Sequence, residues 1–213
     1  SYYSYVHTFQ SDLSISFCGL SCRQTINYTY MTYEKTDIEG VYIITPKVFK
    51  DDRGYFFESF KDAEFRTNVA DVQFIQENQS KSSYGVLRGL HYQKGDAAQA
   101  KLVRVVTGSV LDVAVDIRKS SPTFGKYVAV ELNDVNHRQL YIPRGFAHGF
   151  LVLSDTAVFC YKVDNVYCPE ADAGIMWDDP DINIKWPERT IANAKFSEKD
   201  MHHPYLNMAE VFE

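Results

Sequence analysis

Two histidines carry the chemistry legible in this chain. The first lies in Leu87-Arg88-Gly89-Leu90-His91-Tyr92-Gln93, where a strong cation, a tight glycine and an imidazole fall within four positions. The second lies in Pro143-Arg144-Gly145-Phe146-Ala147-His148-Gly149-Phe150, where a proline–glycine corner leads the chain into a strand with an imidazole just behind it. An imidazole titrates near neutral pH, so it can act as a general base. Strict alternation in the first segment puts Gly89, His91 and Gln93 on one face and Arg88, Leu90 and Tyr92 on the other. Two strand starts that each deliver a histidine predict a β-barrel with a site in its mouth.

A metal-binding barrel of this kind wants His-x-His on the first strand, a nearby Glu, and the later His. Here Gln93 stands where the second histidine would be, and no Glu lies between it and Leu111. Two strong ligands are too few for a stable site, so no metal is expected. Either histidine alone reads as a satisfied core residue; both together, with Arg88 beside one, read as functional. The cations Arg53, Arg88, Lys101, Arg104 and Lys199 come next. Arg53 sits in a turn, where solvation is the plain reading. Arg88 and Lys101 are embedded in apolar strands, where an unpaired charge is costly and calls for a carboxylate or a ligand phosphate. Lys101 can also stabilise a developing enolate, because a cation acts most strongly in a dry site. Tyr161 and Tyr167 bracket a strand end. Most such tyrosines are packing residues, but a phenol facing a cleft can donate a proton.

The elements that must position these residues are mostly strands. Strand signals cover 41–49, 55–60, 72–79, 86–93, 127–132, 139–142, 150–153 and 157–163. The segments 102–106 and 110–117, joined at Thr107-Gly108-Ser109, read as a hairpin. In the second arm Leu111, Val113, Val115 and Ile117 alternate with Asp112, Ala114, Asp116 and Arg118. A short helix is predicted over 61–69 and a helical turn near 197–201. Many short strands with turns between them indicate an all-β sandwich or jelly-roll barrel.

Composition bounds the function classes. With 213 residues, 45% of them hydrophobic, the chain suits one globular domain. The net charge of -6 disfavours a general nucleic-acid binder. No run of 18 apolar residues suggests a membrane span. The cysteines Cys18, Cys22, Cys160 and Cys168 read as reduced thiols, and no signal peptide is evident, so a cytoplasmic location is expected. Residues 1–30 are rich in Ser, Tyr and Thr and lack Lys, and an ordinary protein start follows at Met31. They read as an added or start-site extension, or as a β-arm, ahead of a domain spanning 31–213.

Several long contiguous stretches resemble the dTDP-4-dehydrorhamnose 3,5-epimerase family, metal-free members of the cupin jelly-roll group. They are Lys47-Val48-Phe49, Asp52-Arg53-Gly54-Tyr55-Phe56-Phe57-Glu58-Ser59, Gln76-Glu77-Asn78-Gln79-Ser80, Leu87–Gln93, Lys101-Leu102-Val103-Arg104, residues 116–125, residues 142–150 and Trp177-Asp178-Asp179-Pro180. The resemblance runs from about Met31 to near Asp200. It implies His91 as catalytic base, Asp200 as the acid that orients it, Tyr161 as proton donor on the opposite sugar face, and Lys101 near the substrate's C4 oxygen. It implies Arg53, Glu58, Gln76, Asn78, Arg88, His148, Tyr167 and Lys199 around the nucleotide and its diphosphate. Where the family commonly has Glu, this chain has Asp172, one methylene shorter and expected to reach its partner through water.

The implied substrate is dTDP-4-dehydro-6-deoxy-D-glucose, whose C3 and C5 protons are both acidified by the C4 ketone. Epimerisation at both carbons needs no redox cofactor. Rival readings are C3-only or C5-only epimerisation or 3,4-ketoisomerisation on the same scaffold, a metal-dependent cupin oxygenase, and a non-catalytic sugar-binding cupin. The resemblance also implies a homodimer with exchanged N-terminal strands, in which Phe49, Arg53 and Glu58 serve the neighbour's site.

Overall fold

Alternating β-branched and aromatic residues, cut by glycine and proline turns, form short strands in a computed structural model that describes residues 30–213. In chain order they are β1 (Met31–Lys35), β2 (Tyr42–Pro46), β3 (Phe49–Asp51), β4 (Gly54–Phe56), β5 (Gln76–Ser83), β6 (Leu87–Gln93), β7 (Lys101–Thr107), β8 (Ser109–Asp116), β9 (Tyr127–Asn133), β10 (Gln139–Ile142), β11 (Phe146–Val152), β12 (Thr156–Val163) and β13 (Asp172–Gly174). Two short helices, α1 (Asp62–Asn68) and α2 (Glu188–Ile191), flank them. Strands β1-β2-β10-β7-β12-β5 make one sheet, β13-β6-β11-β8-β9 a second, and β3-β4 a separate hairpin. The fold is the all-β, cupin-type jelly roll expected from sequence.

Three apolar layers hold it. Between the sheets, Val103, Val105, Leu140 and Phe159 pack with Val110, Ala114, Leu132 and Phe150. Outside the five-stranded sheet, Leu87, Leu90, Val113, Val115 and Ile117 are covered by Ile175, Ile182, Trp186 and Leu206 of the C-terminal segment. Outside the six-stranded sheet, Phe65 of α1 packs on Ile44, Leu102 and Tyr141. Each fully buried side chain of this size contributes about 1.5–3 kcal/mol. The C-terminal cover is pinned by buried Asp179. Its Oδ1 accepts from the amides of Asp181 and Ile182, and its Oδ2 from the amide of Leu206 at 2.6 Å. That cover matters because it carries Asp200.

Three expectations are corrected. The segments around Thr107-Gly108-Ser109 are not a hairpin: β7 and β8 lie in different sheets. The chain changes sheet at Gly108, whose φ is +84°, and a Cβ there would collide with the backbone of Thr156. The clean alternation of β8 also points the other way from a simple reading. Its apolar residues Val113 and Val115 face the C-terminal cover, and the alternate face puts Val110, Asp112 and Ala114 inside the barrel. Strand signals at 72–79 and 150–153 are displaced: β5 starts at Gln76 and β11 at Phe146. The readings of residues 1–29, Cys18 and Cys22 included, lie outside the described residues. Among the described residues no helix is long and apolar enough to cross a membrane.

Candidate active site

The site is built on the β6–β11 pair, which places His91 directly opposite His148. The ladder then slips: three steps along β6, from His91 to Arg88, match two along β11, from His148 to Phe150. Gly89 occupies this bulge with φ +131°, and a Cβ there would come 2.5 Å from Gly149 Cα. Only glycine tolerates both constraints. The bulge overturns strict alternation: Arg88 and His91, three apart, line the same cavity, while Leu87, Leu90 and Tyr92 join the outer core.

That cavity measures about 190 Å³. One sheet supplies Arg88, His91 and His148; the other supplies Lys101 from β7 and Tyr161 from β12. Phe150 and Phe159, stacked with ring centroids 4.2 Å apart, give it an apolar lining. So the two sheets bring an imidazole on one wall to face an ammonium and a phenol on the other.

His91 Nε2 lies 2.5 Å from Asp200 Oδ1, across 109 residues of sequence. Asp200 sits in the 3₁₀ turn Lys199–Met201, and Ser197 Oγ donates to its Oδ2 at 2.7 Å. Burial alone would raise the Asp200 carboxyl, but His203, His91 and Ser197 together outweigh it and hold the carboxyl far below the usual range. Burial pulls the His91 imidazole down, and Lys101 and Lys199 add to this against the opposing pull of Asp200. A neutral imidazole whose Nε2–H is given to a carboxylate keeps its Nδ1 lone pair free to take a proton. Burial likewise pulls the Lys101 ammonium down to about 8, partly countered by Asp112 and Asp172.

His148 has its own carboxylate. Its Nε2 lies 2.9 Å from Oδ2 of Asp112 on β8, and both side chains are buried. Arg88 is exposed rather than embedded, because the bulge turns it to the cavity mouth, where its Nε donates to Ser82 Oγ at 3.0 Å. Tyr167, Asp172 and Lys199 form a polar cluster of their own, outside the residues that line the cavity. Asp172 Oδ2 accepts from Tyr167 at 3.1 Å and pairs with Lys199 Nζ. Gln93 accepts from the amide of Cys168 at 2.7 Å and approaches Asp172, a tie between strands that explains an amide there.

Other residues singled out from sequence lie apart. Gln76 and Asn78 share the inward face of β5 and bond each other at 2.8 Å, with Asn78 opposite Tyr161. Arg53 projects from the β3–β4 hairpin, its side chain 89% exposed and paired with Asp51. Glu58 follows that hairpin, and its buried Oε1 has no hydrogen-bond partner. Neither lines the cavity of its own chain. Sequence reasoning missed Asp112, Ser82 and His203. Asp112 was detectable as an acid flanked by apolar residues within a strand; Ser82 and His203 gave no signal. The ligand atoms of His91, Asp200 and His203 lie within 4.8 Å of one another, a grouping distinct from the His91 and His148 pair weighed from sequence.

The family model described as dTDP-4-dehydrorhamnose 3,5-epimerase matches residues 35–208. The chain belongs to the dTDP-4-dehydrorhamnose 3,5-epimerase family. A curated relative from Shigella flexneri, named dTDP-4-dehydrorhamnose 3,5-epimerase, is 56% identical over 183 residues, 85% of this chain and 99% of that protein. The Legionella pneumophila dTDP-6-deoxy-D-glucose-3,5-epimerase, solved in complex with dTDP-4-keto-L-rhamnose, superposes with a TM-score of 0.80. It is 45% identical, covering 84% of this chain and 95% of that one. A more distant structure, a 3'-monoepimerase from Streptomyces bikiniensis bound to dTDP-quinovose, has a TM-score of 0.75 at 32% identity, covering 83% and 88%. The span matched to the epimerase family takes in His91, Lys101, His148, Tyr161 and Asp200.

Proposed function

We propose that this epimerase converts dTDP-4-dehydro-6-deoxy-D-glucose to dTDP-4-dehydro-L-rhamnose by inverting C3 and C5 in turn. The observation that carries the reading is the His91–Asp200 pair set across one cavity from Tyr161 and Lys101, in a chain of this family. His91 takes the proton next to the C4 ketone, and Asp200 stabilises the imidazolium that forms. Lys101 holds the enolate oxygen. Tyr161 returns a proton from the opposite wall, which inverts the carbon. Each of these groups contributes on the order of 10²–10⁴-fold, so none is dispensable.

The cavity is smaller than the roughly 300–1,000 Å³ of most ligand pockets, which suits the sugar alone. The nucleotide and diphosphate then lie across the mouth, toward Arg88, Gln76, Asn78, Tyr167, Asp172 and Lys199, with His148 buried in the cavity wall behind them. Arg53 and Glu58 serve the site of a second copy. Support for that dimer comes from the exposed aromatic hairpin, Tyr55 and Phe56 above all, and from the unpartnered Glu58 Oε1. Residues 31–213 form the catalytic unit, and the free thiols Cys160 and Cys168 accord with a cytoplasmic location.

The test is product analysis with dTDP-4-dehydro-6-deoxy-D-glucose in D₂O, with and without an NADPH-dependent 4-keto reductase. Deuterium at both C3 and C5 in an L-configured product is expected. Label and inversion at one carbon only would replace this reading with the monoepimerase one. No label at either carbon would leave a sugar-binding protein.

A further inference from the structure

We propose that His91, Asp200 and His203 form a capture site for a divalent transition metal of the zinc class, and that its occupancy switches the catalytic base off. The binding half stands on geometry alone; the inhibition rests on the function proposed above.

His203 lies just beyond the turn that carries Asp200. Its side chain is 8% exposed and its Nε2 is buried with no hydrogen-bond partner. That nitrogen is aimed at Asp200 Oδ1, 3.8 Å away, too far for a hydrogen bond. Its ring stands edge-on to His91, with centroids 5.5 Å apart and planes at 77°. The seat is cut against Gly174, where any Cβ would strike the His203 ring, and Gly174 pairs with His91 in the β13–β6 ladder. Two elements therefore converge to hold an imidazole whose Nε2 makes no hydrogen bond against the His91–Asp200 pair.

The donor set is two imidazoles and one carboxylate, which suits Zn²⁺ or Co²⁺. Tetrahedral Zn²⁺, with bonds of about 2.0–2.2 Å, spaces its ligand atoms roughly 3.3 Å apart. The present separations, 2.5 Å from Asp200 Oδ1 to His91 and 3.8 Å to His203, straddle that value. His91, with its side chain 33% exposed, leaves a solvent side for a fourth ligand.

The switch follows from the two ring nitrogens. Without metal, Nε2–H of His91 donates to Asp200 and Nδ1 holds the lone pair. When Nε2 binds the ion, it releases its proton and Nδ1 of the neutral ring takes one up. The lone pair that would abstract the sugar proton is gone, and no net charge on the ring has changed.

The experiment titrates the chelator-stripped full chain with CoCl₂, read by visible absorption, and with ZnCl₂, read by calorimetry, while turnover is followed in parallel. One equivalent should bind and turnover should fall with occupancy. Chelator treatment should leave the activity of metal-free enzyme unchanged and restore it after Zn²⁺. Turnover of His203→Gln, read against its own metal-free rate, should persist at Zn²⁺ concentrations that inhibit the wild type. The substitution should weaken Co²⁺ and Zn²⁺ at least as much as the roughly 10–100-fold that outer-shell changes cost. His202→Gln, at the exposed neighbour, should bind as wild type does. Absence of a Co²⁺ spectrum, or equal affinity in wild type and His203→Gln, overturns the site. Stoichiometric, His203-dependent binding with no inhibition would leave the site standing and overturn His91 as the base.

Discussion

Two histidine–aspartate pairs look into one cavity, and they are built in opposite ways. His148 and Asp112 sit on neighbouring strands of one sheet, 36 residues apart, with side chains 8% and 0% exposed. His91 and Asp200 are 109 residues apart, and their carboxylate comes from an irregular turn outside the ladder. His91 is 33% exposed over an Asp200 that is 3% exposed. A pair held between neighbouring strands, with both side chains buried, has little freedom to move. A pair with one wet ring and one dry carboxylate can pick up a proton, stabilise the resulting charge and release it again. The same two residue types thus sit in two different surroundings, and the proposed base is the one with a wet ring over a dry carboxylate.

The strongest break of this comparison is to remove each imidazole. His91→Ala should lower kcat by roughly 10²–10⁴-fold and stop deuterium wash-in at both C3 and C5. His148→Gln should keep exchange at both carbons and act mainly on KM. Near-normal exchange in His91→Ala would void the assignment of the base. The carboxylates should respond in the reverse order when stability is read. Asp112→Ala leaves His148 unpaired in the interior and should cost about 3–5 kcal/mol in urea unfolding. Asp200→Asn keeps the shape and should cost less than about 2 kcal/mol, with partial activity, because the amide still orients the ring. Equal losses would mean that both pairs are structural.

The facing wall sharpens the contrast further. Tyr161→Phe should still permit deprotonation while the proton returns mostly from its original side. Exchange would then outrun inversion, most visibly at C5. Matched rates of exchange and inversion in this variant would remove Tyr161 as the donor. The smallest expected effect is a pH limb. Burial favours the neutral amine of Lys101, pulled down to about 8, and a neutral amine cannot hold an enolate. Activity should therefore fall as pH rises through about 8, and Lys101→Arg, which stays charged, should lose that limb at a lower overall rate. A limb unmoved by Lys101→Arg would belong to another group.

The class of fold was legible in the sequence, and so were several candidates for the chemistry. Short alternating strands between turn residues can bury their apolar faces only by packing sheets together, so the jelly roll was legible. His91, His148, Arg88 and Lys101 stood out because polar groups inside apolar strands need a reason. The remaining site residues were legible only through long contiguous motifs that resemble a known family. Tertiary structure decided which residues meet. The bulge at Gly89 turns Arg88 and His91 to one side, and no period-2 reading contains a slipped ladder. The corner at Gly108 sends two adjacent strands into different sheets. Asp112 meets His148 because the face of β8 that carries Val110, Asp112 and Ala114 lines the barrel, while Val113 and Val115 meet the C-terminal cover. Asp200 and His203 reach His91 only because buried Asp179 and the apolar layer around Trp186 and Leu206 draw that cover against the sheet. Such contacts depend on the path of the chain through space, and sequence spacing over 109 residues holds no record of it.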